Sequence, residues 1–293
     1  MRINTLINNH KTQFDKFFFG LLKTNLNNSI LSKAMIYGSM NGGKRIRPFL
    51  VNQAAKIAKA KKTQYLRVAS AIESIHSYSL IHDDLPSMDN DDFRRGKLST
   101  HKKFDEATAI LAGDALHDFA FQILSSRLTH HNPERRIQLI NNLARSLGHL
   151  GLVSGQSLDL LYENKKNNIN KIIKMYKLKT GSLFEFSFSS PFILTNHPKE
   201  IIKFYQRYGL LFGLIFQIID DLIDETKSFK LIGKTPGKDK KQGKSTLLDL
   251  MGKKNVISFC HDEINKFIKK NNNYFKKNLI LKELLKFNLT RIK

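Results

Sequence analysis

Gln217, Asp220, Asp221 and Asp224 fall at i, i+3, i+4 and i+7, so a helix through them sets all four along one face. Leu214, Ile215, Phe216, Ile218, Ile219, Leu222 and Ile223 fill the other faces, which makes that helix a buried one. Buried carboxylates with no base in their own segment are costly and call for positive charge from elsewhere. A second acidic group follows another apolar helix, read over residues 68–82. It delivers Asp83 and Asp84, Pro86 disfavours α conformation at Leu85, and Asp89, Asp91 and Asp92 come on the turn before Arg94-Arg95-Gly96. His76, Ser79 and Asp83, at i, i+3 and i+7, continue a polar stripe down this helix. A histidine alone on an apolar face is usually a satisfied core residue; in line with aspartates it is a candidate for contacting substrate.

Oxygen-only donor sets favour hard cations, Mg²⁺ above all, which keeps several waters and bridges to substrate phosphates. No Cys/His arrangement here would select zinc. Both acidic groups read as an apolar helix running into Asp-Asp-Leu, at Ile81–Leu85 and Ile218–Leu222. The echo suggests two arms of a bundle presenting carboxylates at the same end of a shared cavity, with Mg²⁺ gripping a diphosphate. Such a ligand also needs fixed cations. Gly42-Gly43-Lys44-Arg45-Ile46-Arg47-Pro48 offers them: glycines for close backbone approach, and Lys44 and Arg47 three apart. Taken alone, a basic turn of this kind is commonplace.

The elements that must position these groups read as helices. Apolar residues recur at three and four positions, as in Leu143, Leu147 and Leu150. Breaks are expected at 39–43, 85–97, 130–133, 163–168, 195–199 and 228–243. The segment 183–193, rich in Phe and Ser, is read as helical, with Phe184, Phe188 and Phe192 stacking at four-residue spacing. With only 6 Pro and 16 Gly the chain suits long helices more than hairpins. The expectation is all-α: a single-domain bundle of ten or more helices around a deep central cavity, covering residues 1–293.

Composition narrows the functional classes. No stretch approaches the roughly 20 apolar residues that span a bilayer, and the polar start does not read as a secretory signal. The single cysteine, Cys260, excludes an intrachain disulfide and fits a reducing cytoplasm. The net charge of +24 invites a polyanion partner. The lysines, however, are scattered, and they travel with Asn and Ile, residues that share A/T-rich codons. Codon drift is therefore the preferred reading: no nucleic-acid partner and no stable membrane anchor are expected.

Asp83-Asp84-Leu85-Pro86-Ser87-Met88-Asp89 followed by Arg94-Arg95-Gly96 resembles the first aspartate-rich motif of the trans-isoprenyl diphosphate synthases, in its bacterial form. Asp220-Asp221-Leu222-Ile223-Asp224 resembles the second. The resemblance runs through nearly the whole chain, including residues 42–48, His76, residues 104–116, Gly155-Gln156 with Asp159, Lys179-Thr180-Gly181, Phe216-Gln217 and Gly243-Lys244-Ser245-Thr246. Within the family it is nearest to the bacterial farnesyl diphosphate synthases. Leu98-Ser99, where Pro-Thr is usual, and Ser154, where a glycine is common, depart from the pattern.

The resemblance implies the following roles. Lys44, Arg47, His76 and Arg95 would hold the diphosphate of isopentenyl diphosphate. Arg94, Lys179, Thr180, Gln217 and Lys234 would line the allylic site for dimethylallyl or geranyl diphosphate, with Lys244 nearby. Asp83, Asp84 and Asp89 with Asp220, Asp221 and Asp224 would ligate Mg²⁺, three ions in all, on the allylic diphosphate. Catalysis would centre on Asp83, Asp84, Asp89, Arg94, Lys179 and Asp220, giving farnesyl diphosphate, in a homodimer. Five residues before Asp83, about 7.5 Å deeper along a helix, stands Tyr78, followed by Ser79. The resemblance makes the ring a floor that limits product length; ordinary core packing explains it equally well. Alternatives are geranyl or geranylgeranyl diphosphate as product, a terpene cyclase or head-to-head prenyl synthase, and a non-catalytic partner subunit.

Overall fold

The structure is a computed structural model that describes residues 3–226 and 243–291. Among the described residues it is all-α, as expected, apart from one hairpin of two-residue strands. Tertiary contacts divide the described chain into a first unit of residues 3–141 and 190–197 and a second of 142–189, 198–226 and 243–291.

The first unit opens with α1 (Ile3–Asn25), α2 (Ile30–Met40), α3 (Ile46–Ala58) and α4 (Lys62–Asp83). After α4 the chain turns as Pro86 requires, and the hairpin β1 (Phe93–Arg94) and β2 (Lys97–Leu98) follows. Its two-residue loop, Arg95-Gly96, has φ of 55° and 76°, the positive pair that matches the twist of flanking strands. The short α5 (Thr100–Lys103) leads into α6 (Glu106–Ser125), which Asp105 caps by accepting from the Thr108 N–H. α6 lies along α4, so Ala109, Ala112, Leu116 and Ala120 are buried where Val68, Ala71, Ile72 and Ile75 also sit. Helix α7 (Pro133–Leu147) ends this stretch, and the boundary between units falls inside it.

The second unit contains α8 (Leu152–Tyr162), α9 (Ile169–Tyr176), a π-helical turn over Lys177–Gly181, and α11 (Lys199–Thr226). α10 (Ser182–Leu194), where the other boundary falls, confirms the helical reading of 183–193. Its phenylalanines do not stack on one another as expected. Phe184 meets Phe212 and Phe216, Phe188 meets Tyr208, and Phe192 meets His197. Rings four apart share a face, and a neighbouring aromatic surface buries more of each ring than a self-stack would. The chain resumes in α12 (Leu247–Lys270), started by a capping box between Thr246 and Asp249, and closes with α13 (Asn272–Lys277) and α14 (Leu279–Thr290). Phe204, Phe267, Tyr274 and Phe275 tie α11 to α12 and α13. The Tyr208 hydroxyl donates to the Leu281 carbonyl at 2.7 Å, and Asn288 Nδ2 to the Phe212 carbonyl at 3.0 Å, fixing α14 on α11.

The expected breaks fall between helices at 39–43, 85–97, 130–133, 163–168 and 195–199. The break at 228–243 lies, Gly243 apart, outside the described residues. Among the described residues, no helix is long and apolar enough to cross a membrane.

Candidate active site

In the first unit the carboxylates gather at the C-terminal end of α4. The turn beyond it is laced back by backbone bonds: the Asp89 N–H donates to the Asp83 carbonyl at 2.8 Å and the Asp91 N–H to the Asp84 carbonyl at 3.0 Å. Arg94, arriving on β1, donates through Nε to Asp84 Oδ1 at 2.8 Å, adds a second bond from Nη2, and stands 3.4 Å from Asp91 Oδ2. Asp84 is buried, and burial pushes its carboxyl up to about 6 even against the pull of Arg94, with Asp91 and Asp83 crowding it further. A carboxyl held up chiefly by burial is one whose ionised form further positive charge would favour.

The cations of this unit gather around His76. Burial lowers its pKa well below the ordinary value, and Arg47, Arg95, Arg45 and Arg94 lower it further. The ring is a neutral donor–acceptor among guanidinium groups. Arg95 Nη1 donates to the Gly42 carbonyl at 2.6 Å, and a Cβ on Gly43 would come within 2.5 Å of Arg95 Cζ. Gly43 thus admits the Arg95 side chain against the backbone, whereas a Cβ on Gly42 would meet nothing within 4 Å. Lys44 is exposed at the start of α3. Arg45, the residue between Lys44 and Ile46, is instead buried in an ion network with Asp15 and Glu73.

Tyr78 sits between α4 and α6, edge-on to His82 at 4.8 Å and to His117 at 5.3 Å between ring centroids. Its neighbour Ser79 turns back to donate to the His76 carbonyl. His82 Nε2 meets the Ile110 carbonyl at 3.0 Å, and its ring fills the space over Gly113. The part of His117 beside Tyr78 was not legible in the sequence, because it depends on how α6 is rotated against α4.

In the second unit α11 presents its polar stripe as the spacing predicts. Asp221 and Asp224 are buried and Asp220 is partly exposed. Both Asp221 oxygens take protein donors: Oδ1 from Gln217 Nε2 at 2.8 Å, and Oδ2 from the Tyr176 hydroxyl. Thr180 Oγ1 donates to Gln217 Oε1 at 2.6 Å, which extends the chain to the π-turn. On the other side, Lys179 Nζ bonds Asp159 Oδ2 at 2.5 Å, and Lys244 Nζ lies 3.6 Å from the same oxygen. The π-turn that carries Lys179 and Thr180 is packed against glycines. A Cβ on Gly155 would overlap the Lys179 backbone, and one on Gly213 would lie 2.6 Å from Gly181 Cα. Single π-turns of this kind recur at functional sites.

The positive charge that the α11 carboxylates require comes partly from the chain itself. Arg291 pairs through Nη2 with Asp220 Oδ1 and lies over the Phe216 ring, 3.8 Å from its centroid. Sequence reasoning missed Arg291 and Tyr176: the first is 71 residues from its partner, and the second is one more apolar-face residue of α9. Lys234, assigned to the allylic site, lies outside the described residues.

Among the described residues, no three His, Cys, Asp or Glu side chains are grouped tightly enough to hold a metal by themselves. The donor sets nevertheless fit Mg²⁺, whose shell is completed by water and substrate phosphate: they are all oxygen, and the ionised form of buried Asp84 would gain from a further cation.

Residues 28–284 match the sequence pattern of the polyprenyl synthetase family. The chain is 40% identical over 261 residues to a farnesyl diphosphate synthase of Micrococcus luteus, covering 87% of this chain and 89% of the relative. A solved FPP/GFPP synthase from Zymomonas mobilis superposes with a TM-score of 0.84 at 35% identity, covering 97% of this chain and 98% of that one. A geranyltransferase from Helicobacter pylori, complexed with magnesium and isoprenyl diphosphate, gives a TM-score of 0.84 at 31% identity, covering 100% and 98%. With that match spanning most of its length, and with the acids, arginines and π-turn lysine set as described, the chain belongs to the polyprenyl synthetase family.

Proposed function

We propose that the chain is a Mg²⁺-dependent prenyltransferase that condenses isopentenyl diphosphate head-to-tail with dimethylallyl and then geranyl diphosphate, giving farnesyl diphosphate. The observation that carries this reading is the pair of carboxylate sites, at the end of α4 and along α11, in a chain of this family. Residues 1–293 act as one polyprenyl synthase domain, working as a cytoplasmic homodimer without a membrane anchor or nucleic-acid partner.

The hard step is breaking the allylic C–O bond. Asp83, Asp84 and Asp89 with Asp220 and Asp224 would hold Mg²⁺, three ions in the full complex. Asp221, whose oxygens already accept from Gln217 and Tyr176, would reach a cation through its second lone pairs. When bound, Mg²⁺ supplies Lewis-acid stabilisation of the charge that develops on the leaving diphosphate. Lys179, Gln217 and Arg94, with Lys234 and Lys244, would present donors to that same diphosphate, and Thr180, whose hydroxyl donates to Gln217 Oε1, would line the site and hold that amide in place. Donors positioned before the bond breaks cost no reorganisation as it does. Lys44, Arg47, His76 and Arg95 hold isopentenyl diphosphate so that its double bond attacks the allylic cation. A neutral His76 can donate one hydrogen bond to phosphate without needing to be charged. The departed pyrophosphate takes the final proton. Tyr78 with Ser79 sets the depth of the pocket and so the product length.

Calorimetric titration with inorganic pyrophosphate tests the site without turnover. Binding should require Mg²⁺ and weaken at least about tenfold in Asp83→Ala and Asp220→Ala. Pyrophosphate binding that ignores Mg²⁺ and both substitutions would remove the metal from the site.

A further inference from the structure

Gly42, Gly43 and Arg45 all have positive φ, at 86°, 100° and 51°. For arginine this left-handed conformation is disfavoured, so something must hold it. Arg45 is the residue that starts α3, yet its side chain offers the helix no cap. It turns inward. Nε donates to Asp15 Oδ1 of α1 at 2.7 Å, Nη1 to Glu73 Oε1 of α4 at 2.5 Å, and Nη2 to the Ser39 carbonyl of α2 at 2.8 Å. Arg45 and Glu73 are 3% and 2% exposed, so this guanidinium cannot reach a substrate itself.

A buried ion network is a poor way to obtain stability, since apolar side chains of similar volume usually hold a core as well. What apolar packing cannot do is fix direction. The planar fork of one arginine meets three helices at once, and each bond has its own required angle. Its flanks are the candidate phosphate anchors: Lys44 immediately before it and Arg47 two residues on. Glu73 is one turn before His76 on α4. The bond from Arg45 to Glu73 therefore sets the start of α3 against the turn of α4 that carries the third anchor.

We propose that the Asp15–Arg45–Glu73 network is the positioning device of the isopentenyl diphosphate subsite, with Arg45 a positioning residue and not a ligand. The inference rests on the reading that Lys44, Arg47 and His76 bind that diphosphate.

Steady-state kinetics of the full chain test it, with isopentenyl and geranyl diphosphate varied in turn and the melting temperature followed by circular dichroism. Glu73→Gln and Asp15→Asn should each raise KM for isopentenyl diphosphate about tenfold, as small misplacements of anchors do. KM for geranyl diphosphate should be unchanged and kcat little affected, with Glu73→Asp recovering part of the loss. Arg47→Gln is the control for the subsite itself. If it raises that KM while Glu73→Gln and Asp15→Asn only lower the melting temperature, or raise both KM values alike, the network is structural and the proposal is wrong. If Arg47→Gln leaves KM for isopentenyl diphosphate unchanged, the subsite reading fails and takes the proposal with it. Should Glu73→Gln not fold, Asp15→Asn carries the test, because Asp15 is at the rim of the network with its side chain 21% exposed.

Discussion

The Tyr176 hydroxyl donates to Asp221 Oδ2 and accepts the Leu247 N–H at 3.3 Å, so one oxygen joins the acidic face of α11 to the first turn of α12. Burial, and then Asp221, raise the phenol's pKa well above its ordinary value, so it stays protonated and remains a donor. Tyr176→Phe keeps the ring and removes the joint. A hydrogen bond to a charged group contributes about 1.5–3 kcal/mol, so kcat/KM for the allylic substrate should fall about 10- to 100-fold, with a higher Mg²⁺ requirement. Kinetics at several Mg²⁺ concentrations check this; an unchanged Mg²⁺ dependence would separate Tyr176 from the site.

Gly155 lies where α8 touches the backbone of the π-turn, whereas a methyl group on Gly20, on the exposed face of α1, would have nothing within 4 Å. Gly155→Ala should destabilise the fold by about 1–3 kcal/mol through overpacking. It should also disturb Lys179 enough to lower activity well beyond the stability loss. Gly20→Ala should do the opposite, stabilising α1 by about 0.5–1 kcal/mol without touching activity. Urea unfolding of the two variants beside the parent chain decides both.

His10 predicts a pH dependence of stability. It is buried against Phe14 and Phe49, and Nε2 has no hydrogen-bond partner among the described residues. Burial lowers its pKa from 6.5 to about 4; Lys56 and Lys62 push the same way, while a bond to Pro48 and the charge of Asp15 oppose them. Below pH 6.5 the unfolded chain takes up a proton that the folded chain refuses until about 4. Stability is therefore full above the unfolded value and lost as pH falls through that window, by up to about 3 kcal/mol. His10→Gln should flatten this part of the profile in urea unfolding at about pH 7.5 and about pH 5. A slope identical to that of the parent chain would assign the dependence to other groups.

Much of this was legible in the sequence because it is local. Helical spacing alone set Gln217, Asp220, Asp221 and Asp224 on one face, and Pro86 alone turned the chain after Asp84. What was not legible depends on partners distant along the chain. Arg291 reaches Asp220, and Arg45 reaches Asp15 and Glu73, across 71, 30 and 28 residues. No periodicity encodes such pairs. Arg45 was given no role by the sequence, which singled out only Lys44 and Arg47 of this basic motif; its burial against Asp15 and Glu73 is what reveals one. The phenylalanine run in α10 shows the same limit: spacing gives the face, and only packing gives its partner.

Tyr78 carries the product-length claim. Its ring, held edge-on by His82 and His117 between α4 and α6, should act as the floor of the pocket. Tyr78→Ala should shift the product from fifteen to twenty carbons or more with modest loss of rate. A variant that still stops at fifteen carbons would make the tyrosine a packing residue.

The most direct test is an assay of the purified chain with Mg²⁺, isopentenyl diphosphate and dimethylallyl diphosphate, with products read by mass and Asp83→Ala run alongside. The account predicts a fifteen-carbon diphosphate that depends on Mg²⁺ and disappears in the variant. Folded protein that forms no prenyl product at any Mg²⁺ concentration would contradict it.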